Sequence, residues 1–280
     1  MTRPRAVSAG MLRYLAPLGL LLAACTRDAV TREAKTEVRA AVEVSAPTPR
    51  PMRAGRHTLM TSAGELAFTL HRSEAVDGPL FIYCGGAGFT VPAFGEAIID
   101  KLAPFGDVLV WDYPGRGRSG GVPGLVQARA FTESLQTRLP RLREPDQSVV
   151  YWGHSMGGFI CADMVADDPG AAGLVLESTA MSADAVAARL GDTALALLLR
   201  TQLPPEAARF SIPERLAGSD ASVLVIGGAR DRVLPVSLQR DLADAIPGAR
   251  YIEYERANHF DAGLQPGFAD DITSYLEGLP

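Results

Sequence analysis

The sequence predicts an α/β domain, a mostly parallel central sheet flanked by helices on both faces. Two observations carry that expectation. The first is a series of short apolar runs, Leu80–Cys84, Val108–Trp111, Val149–Trp152, Gly173–Glu177, Val223–Gly227 and Tyr251–Tyr254, separated by helical stretches. Runs without polar alternation suit strands buried on both faces, which is how parallel sheets are built. The second is Gly153-His154-Ser155-Met156-Gly157, a G-x-S-x-G set between a strand-like run and a helix-like run that stops at Pro169. Such a turn lifts a serine hydroxyl clear of the sheet edge, and glycines flank it because side chains there would meet the neighbouring strand or helix.

Taken in order, the chain begins with Arg3, Arg5 and Arg13, an apolar run Leu15–Ala24, and Cys25. Ten apolar residues are too few to span a bilayer but fit the h-region of an export signal. Leu22-Ala23-Ala24-Cys25 resembles the lipobox of bacterial lipoproteins, with 1–24 the signal peptide and Cys25 the acylated residue. Thr26 in place of an aspartate favours the outer membrane where the host has two. Residues 25–55 are charged, alanine-rich and proline-punctuated through Pro51, and read as the lipidated cysteine and a flexible tether. Residues 56–280 read as one catalytic-sized domain. Its first elements alternate: Leu66, Phe68 and Leu70 against Ala67, Thr69 and His71, a half-buried antiparallel strand paired across Ala63-Gly64 with Thr58–Thr61.

Composition narrows the function. The full chain has formal charge −5; loss of residues 1–24 leaves 24 basic against 32 acidic side chains, formally −8. That balance argues against nucleic acid and against electrostatic docking on anionic lipid. Three cysteines make no disulfide framework. Cys161, after the candidate nucleophile, reads as a small buried filler, and a bridge to Cys84 is left open. The four histidines are scattered and no Cys-x-x-Cys occurs, so no metal site is expected. Gly85-Gly86-Ala87-Gly88 lacks both the Lys-Ser/Thr of a P-loop and G-x-G-x-x-G spacing, so no nucleotide cofactor is expected either.

Acyl transfer by serine needs a base for its proton, a carboxylate to hold that base, and donors for the oxyanion. The chain offers Ser155, then Asp231 in Gly228–Pro235, then His259 in Ala257-Asn258-His259, each after a predicted strand. Ligand groups of such sheets lie on loops at the strands' carboxyl ends.

These segments, with Leu80–Gly88 and Trp111–Gly120, resemble the α/β-hydrolase superfamily, within it the BEM46-like and serine aminopeptidase S33-like hydrolases, over nearly all of residues 57–280. The resemblance implies an α/β-hydrolase fold with a short helical cap, Ser155 as nucleophile, Asp231 orienting the base and His259 as base. It places the oxyanion hole at the backbone N–H groups of Met156 and Gly86. Cys84-Gly85 stands where the family usually has His-Gly, so the usual side-chain support of that loop is missing.

Rivals exist for each role. His57 and His71 fall in the N-terminal hairpin, and His154 precedes the serine at a turn directing it away. Asp112 resembles a structural acid the family keeps beneath the site, and Asp261 lies only two residues after His259. The cap spans about 178–222, with a helical stretch Ala183–Leu199; Leu190, Leu195, Leu197, Leu198 and Leu199 either line an acyl groove or are core. The expected activity is cleavage of carboxylic esters, lipid or thioester included, by an envelope lipoprotein held on a membrane by its N-terminal anchor, with small-molecule or lipid acyl substrates. The alternatives are an amidase or peptidase of the same fold and a non-catalytic binding lipoprotein. Ser155 counts against dehalogenase and epoxide-hydrolase chemistry, which takes an aspartate at this turn.

Overall fold

A computed structural model describes residues 51–75, 77–191 and 210–280. The predicted signal peptide, Cys25, most of the tether, and Leu195, Leu197, Leu198 and Leu199 lie outside the described residues.

The chain enters through β1 (Gly55–Thr61) and turns back into β2 (Gly64–His71). The predicted hairpin forms in register, Thr61 opposite Gly64 and Thr58 opposite Ala67. β3 (Leu80–Cys84), α1 (Val91–Leu102), β4 (Asp107–Trp111), α2 (Leu125–Thr137) and the single turn α3 (Leu139–Leu142) follow. Then come β5 (Val149–His154), α4 (Gly157–Ala166), β6 (Ala171–Glu177), α5 (Ala183–Leu190) and the short α6 (Ile212–Arg215). β7 (Ser222–Gly228), α7 (Ser237–Ala245), β8 (Arg250–Tyr254), a 3₁₀ turn at Ala262–Leu264 and α8 (Phe268–Leu276) complete it.

The eight strands form one sheet in the order β1-β2-β4-β3-β5-β6-β7-β8. β2 runs antiparallel to β1 and β4, and β3 to β8 are parallel. This is the α/β-hydrolase fold. Alternation along each strand divides the core. Leu80, Ile82, Cys84, Leu109 and Tyr151 face one layer, with Phe131, Leu135, Met164 and Val165 from α2 and α4. Phe81, Tyr83, Val108, Val110 and Trp152 face the other, with Leu102 of α1 and Phe268, Ile272 and Tyr275 of α8. Each Leu- or Phe-sized side chain so buried contributes roughly 1.5–3 kcal/mol.

Two local results depart from the sequence pattern. Ala67, expected on the exposed face of β2, is buried, because the loop after β4 folds over it: Ser119 Oγ accepts the Ala67 N–H at 2.9 Å and donates to the Asp112 carbonyl at 2.7 Å. Cys84 and Cys161, whose pairing the sequence leaves open, are joined by a disulfide across a Cα–Cα separation of 6.0 Å. It ties the end of β3 to α4, both of which border the site. In the cap region, Leu190 packs against the cluster of Ala180, Val186, Leu234 and Leu238, a core role.

Candidate active site

Ser155 occupies the turn between β5 and α4 with φ +54°, a left-handed conformation that costs a non-glycine residue about 1–3 kcal/mol. Hydrogen bonds hold the turn in place. The Ser155 N–H donates to the Glu177 carbonyl at 2.9 Å. The Ser155 carbonyl accepts from the Gly158 N–H at 3.0 Å and from Thr179 Oγ1 at 2.7 Å. The flanking glycines are sterically required. A Cβ on Gly153 would lie 2.5 Å from the Gly158 Cα, and one on Gly157 would lie 1.9 Å from the Cys84 carbonyl oxygen. Gly158 is as crowded, 2.7 Å from Thr179 Oγ1.

Asp231 and His259 come together from the ends of β7 and β8. His259 Nδ1 lies 2.7 Å from Asp231 Oδ2, both residues buried. The other carboxylate oxygen, Oδ1, accepts the N–H groups of Val233 and Leu234 at 2.8 Å each, so the carboxylate plane is fixed. The two loops are tied by the Arg230 N–H donating to the Ala257 carbonyl at 2.9 Å. Among the described residues the Ser155 side chain makes no hydrogen bond. The structure thus pairs the second and third predicted residues, and His154, the chain neighbour of Ser155, has its ring centroid 5.0 Å from that of His259.

Gly86 follows β3 and borders the serine; a Cβ built on it would lie 3.4 Å from Ser155 Cβ. Its carbonyl accepts the Phe89 N–H at 3.0 Å, closing a tight turn. Among the described residues neither the Gly86 N–H nor the Met156 N–H donates to a protein acceptor. Met156 immediately precedes α4, so its N–H lies at the positive end of that helix.

The rival residues have other work. The Asp112 carboxylate accepts the Val91 N–H at 2.7 Å and the Arg118 N–H at 2.9 Å. It stands in for the side-chain cap that Thr90 does not supply to α1. Asp261 braces its own loop, accepting the Asn258 N–H at 2.6 Å and the Asn258 side-chain amide. His57 stacks on Phe68 at 5.2 Å in the hairpin.

Beside the histidine lies a buried polar group that the sequence pattern does not reveal. Lys101 of α1 reaches the Glu177 carboxylate, and the Trp152 indole N–H donates to the same carboxylate at 2.7 Å. Burial works to raise the Glu177 pKa, but Lys101, His154 and the indole outweigh it and hold the carboxyl below its ordinary value. His154 is buried as well, and burial lowers its pKa to about 4. Two sequence features could have drawn attention to it: a carboxylate ending an otherwise apolar strand, and a lone lysine in a domain whose other cations are arginines. Among the described residues no group of three or more His, Cys, Asp or Glu side chains is arranged to hold a metal ion, and no helix is long and apolar enough to cross a membrane.

The model of the family described as serine aminopeptidase, S33, matches residues 79–210, from β3 through the serine turn to beyond β6. An uncharacterized protein of Mycobacterium tuberculosis, found in two strains, is 30% identical over 204 residues, covering 71% of this chain and 70% of its own. A hydrolase from Pseudomonas aeruginosa is similar in structure, with TM-score 0.57 and 22% identity over 79% of this chain and 98% of its own. A thermophilic esterase from Thermogutta terrifontis gives TM-score 0.56 and 21% identity over 80% and 98%. The eight-stranded sheet and the strained serine turn are those of the α/β-hydrolase fold, and the match to the mycobacterial protein leads to one conclusion: the chain belongs to the same family as that protein.

Proposed function

We propose that this protein is a serine hydrolase that cleaves carboxylic esters through an acyl-enzyme. The observation that carries the reading is the buried 2.7 Å pairing of His259 Nδ1 with Asp231, in a chain that also holds a serine at φ +54° in a strand–helix turn. In this mechanism Asp231 keeps the His259 proton on Nδ1, leaving Nε2 as the base. His259 Nε2 takes the Ser155 hydroxyl proton as Oγ adds to the substrate carbonyl carbon. The Gly86 and Met156 N–H groups, which have no protein acceptor among the described residues, stabilise the resulting oxyanion. His259 then protonates the leaving alcohol, and a water activated by the same nitrogen releases the acid. Among the described residues Ser155 and His259 share no hydrogen bond, and such bonds are often long in unliganded hydrolases and tighten with substrate.

The ester preference is supported by the esterase among the structural neighbours and by the length of the insert between β6 and β7. A peptidase or amidase reading is favoured instead by the name of the matching family. Purified residues 56–280 assayed on short acyl esters, thioesters and aminoacyl amides separate the two. The proposal expects ester turnover well above amide turnover, and a Ser155→Ala loss of about 10⁵–10⁶ in kcat. Amides turned over faster than esters would move the reading to a peptidase. No turnover by the folded protein would favour a binding lipoprotein.

The location of the enzyme is part of the same proposal. The Leu22-Ala23-Ala24-Cys25 ending supports export and acylation at Cys25, which holds the domain at a bacterial membrane. Metabolic labelling with an alkyne-tagged palmitate should mark the wild type and not Cys25→Ser.

A further inference from the structure

We propose that His154 is a positioning residue for His259, setting its distance from the serine through one hydrogen bond across the mouth of the site. The inference rests on the ester-hydrolase reading, in which Ser155 and His259 exchange a proton.

Sequence and geometry put His154 where three loops meet. It is the last residue of β5 and the chain neighbour of Ser155. Its Nε2 lies 2.7 Å from the main-chain carbonyl oxygen of His259. A carbonyl only accepts, so Nε2 carries the hydrogen and the neutral ring presents the lone pair of Nδ1. That second nitrogen faces the oxyanion turn, 3.2 Å from where a Cβ on Gly86 would lie. The ring itself packs edge-on to His259 at 5.0 Å and against Phe260 at 5.7 Å.

The histidine loop needs such a support. Its own bonds are short-range: Asn258 to Asp261, and the Phe260 N–H to Asn258 Oδ1 at 2.8 Å. Phe260 is 74% exposed and anchors little. The Arg230–Ala257 bond fixes the loop to the Asp231 side. Among the described residues, the His154–His259 bond is the only hydrogen bond joining residues 153–158 to residues 255–261. It therefore governs the separation of nucleophile and base, while Asp231 governs the tilt of the imidazole.

The test uses His154→Phe, which keeps an aromatic ring but has no donor, and His154→Gln, whose amide nitrogen can donate from a similar reach. Readouts are kcat and KM on a short acyl ester, and the downfield proton resonance of His259 Nδ1–H in its bond to Asp231. We expect His154→Phe to lose about 10- to 100-fold in kcat, the scale of a misplacement of about 1 Å, with KM within about threefold. Its resonance should shift or broaden. His154→Gln should stay within about threefold of wild type in kcat and keep the resonance. Wild-type kcat in His154→Phe, or equal losses in both variants, would overturn the proposal, because bulk or burial would then account for the residue. Should His154→Phe not fold, His154→Met, smaller and equally without a donor, takes its place. If the folded wild type hydrolyses no ester, the functional reading fails and the resonance alone decides: movement in the donorless variant only supports the positioning role, and no movement overturns it.

Discussion

Lys101 and Glu177 form a buried ion pair next to the candidate active site, with Nζ 2.7 Å from Oε1 and 2.5 Å from Oε2 of the carboxylate. The Glu177 side chain is 2% exposed and the Lys101 side chain 15%. Lys101 Nζ also lies 4.9 Å from the Trp152 ring centroid and 5.3 Å from that of Phe268. The Glu177 main chain, meanwhile, receives the Ser155 N–H, so the pair stabilises the strand end on which the serine turn rests. Removing one partner leaves an uncompensated charge in a dry site. Lys101→Met should therefore destabilise the protein by about 3–5 kcal/mol in urea unfolding, and the double variant Lys101→Met/Glu177→Gln should recover much of the loss. A single variant as stable as wild type would show that water reaches the carboxylate.

Gly157 makes the most restrictive contact in the serine turn. Its absent side chain leaves room for the Cys84 carbonyl, which a Cβ would approach to 1.9 Å. No side-chain rotation relieves a clash with backbone, so α4 would have to move away from β3. Gly157→Ala should give insoluble protein, or folded protein that no longer acylates, whereas Gly248→Ala, at an exposed positive-φ turn with open space around it, should cost only about 1–2 kcal/mol. The comparison is read by soluble yield and thermal unfolding.

Burial of His154 makes stability depend on pH in a defined direction. Its folded pKa, about 4, lies below the unfolded value of 6.5. Below pH 6.5 the unfolded chain takes up a proton that the folded protein refuses, so stability present above that pH is lost as pH falls towards 4. The residue's share of the loss is about 3 kcal/mol. His154→Gln cannot titrate. Its unfolding free energy should fall less steeply than that of wild type between pH 6.5 and 4, and parallel curves would show that His154 protonates normally in the folded state.

The Cys84–Cys161 bridge closes a loop with a sequence separation of 77 residues. A closure of that length restricts the unfolded chain by about 4 kcal/mol in the chain-entropy account. Protein purified without reductant should resist alkylation at both residues, even when unfolded, until it is reduced. Reduction should then lower the melting temperature. Alkylation of the unfolded, unreduced protein at either cysteine would contradict the bridge.

Much of the fold was legible in the sequence because its parallel strands are buried on both faces and read as unbroken apolar runs. β3 begins and ends where the pattern placed it, and the other parallel strands lie within two residues at either end. The G-x-S-x-G turn was legible for a steric reason, since backbone contacts at Gly153 and Gly157 exclude every other residue. Asp231 and His259 could be proposed from strand ends, but their meeting depends on how the loops after β7 and β8 fold together, which no local pattern records. His154 shows the limit most clearly. Its place before the serine suggested a side chain directed away from the chemistry, yet its ring bonds to the main chain of the histidine loop. Lys101 and Glu177 are 76 residues apart, and only the packing of α1 against the sheet joins them.

The most direct test of the account is whether Ser155 is an activated nucleophile. Purified residues 56–280 and the Ser155→Ala variant, both shown to be folded, would be treated with a fluorophosphonate and the modified residue mapped by mass spectrometry. The account predicts stoichiometric labelling at Ser155, absent from Ser155→Ala and strongly slowed in His259→Ala. A folded wild type that stays unlabelled, or carries the label on another residue, would contradict it.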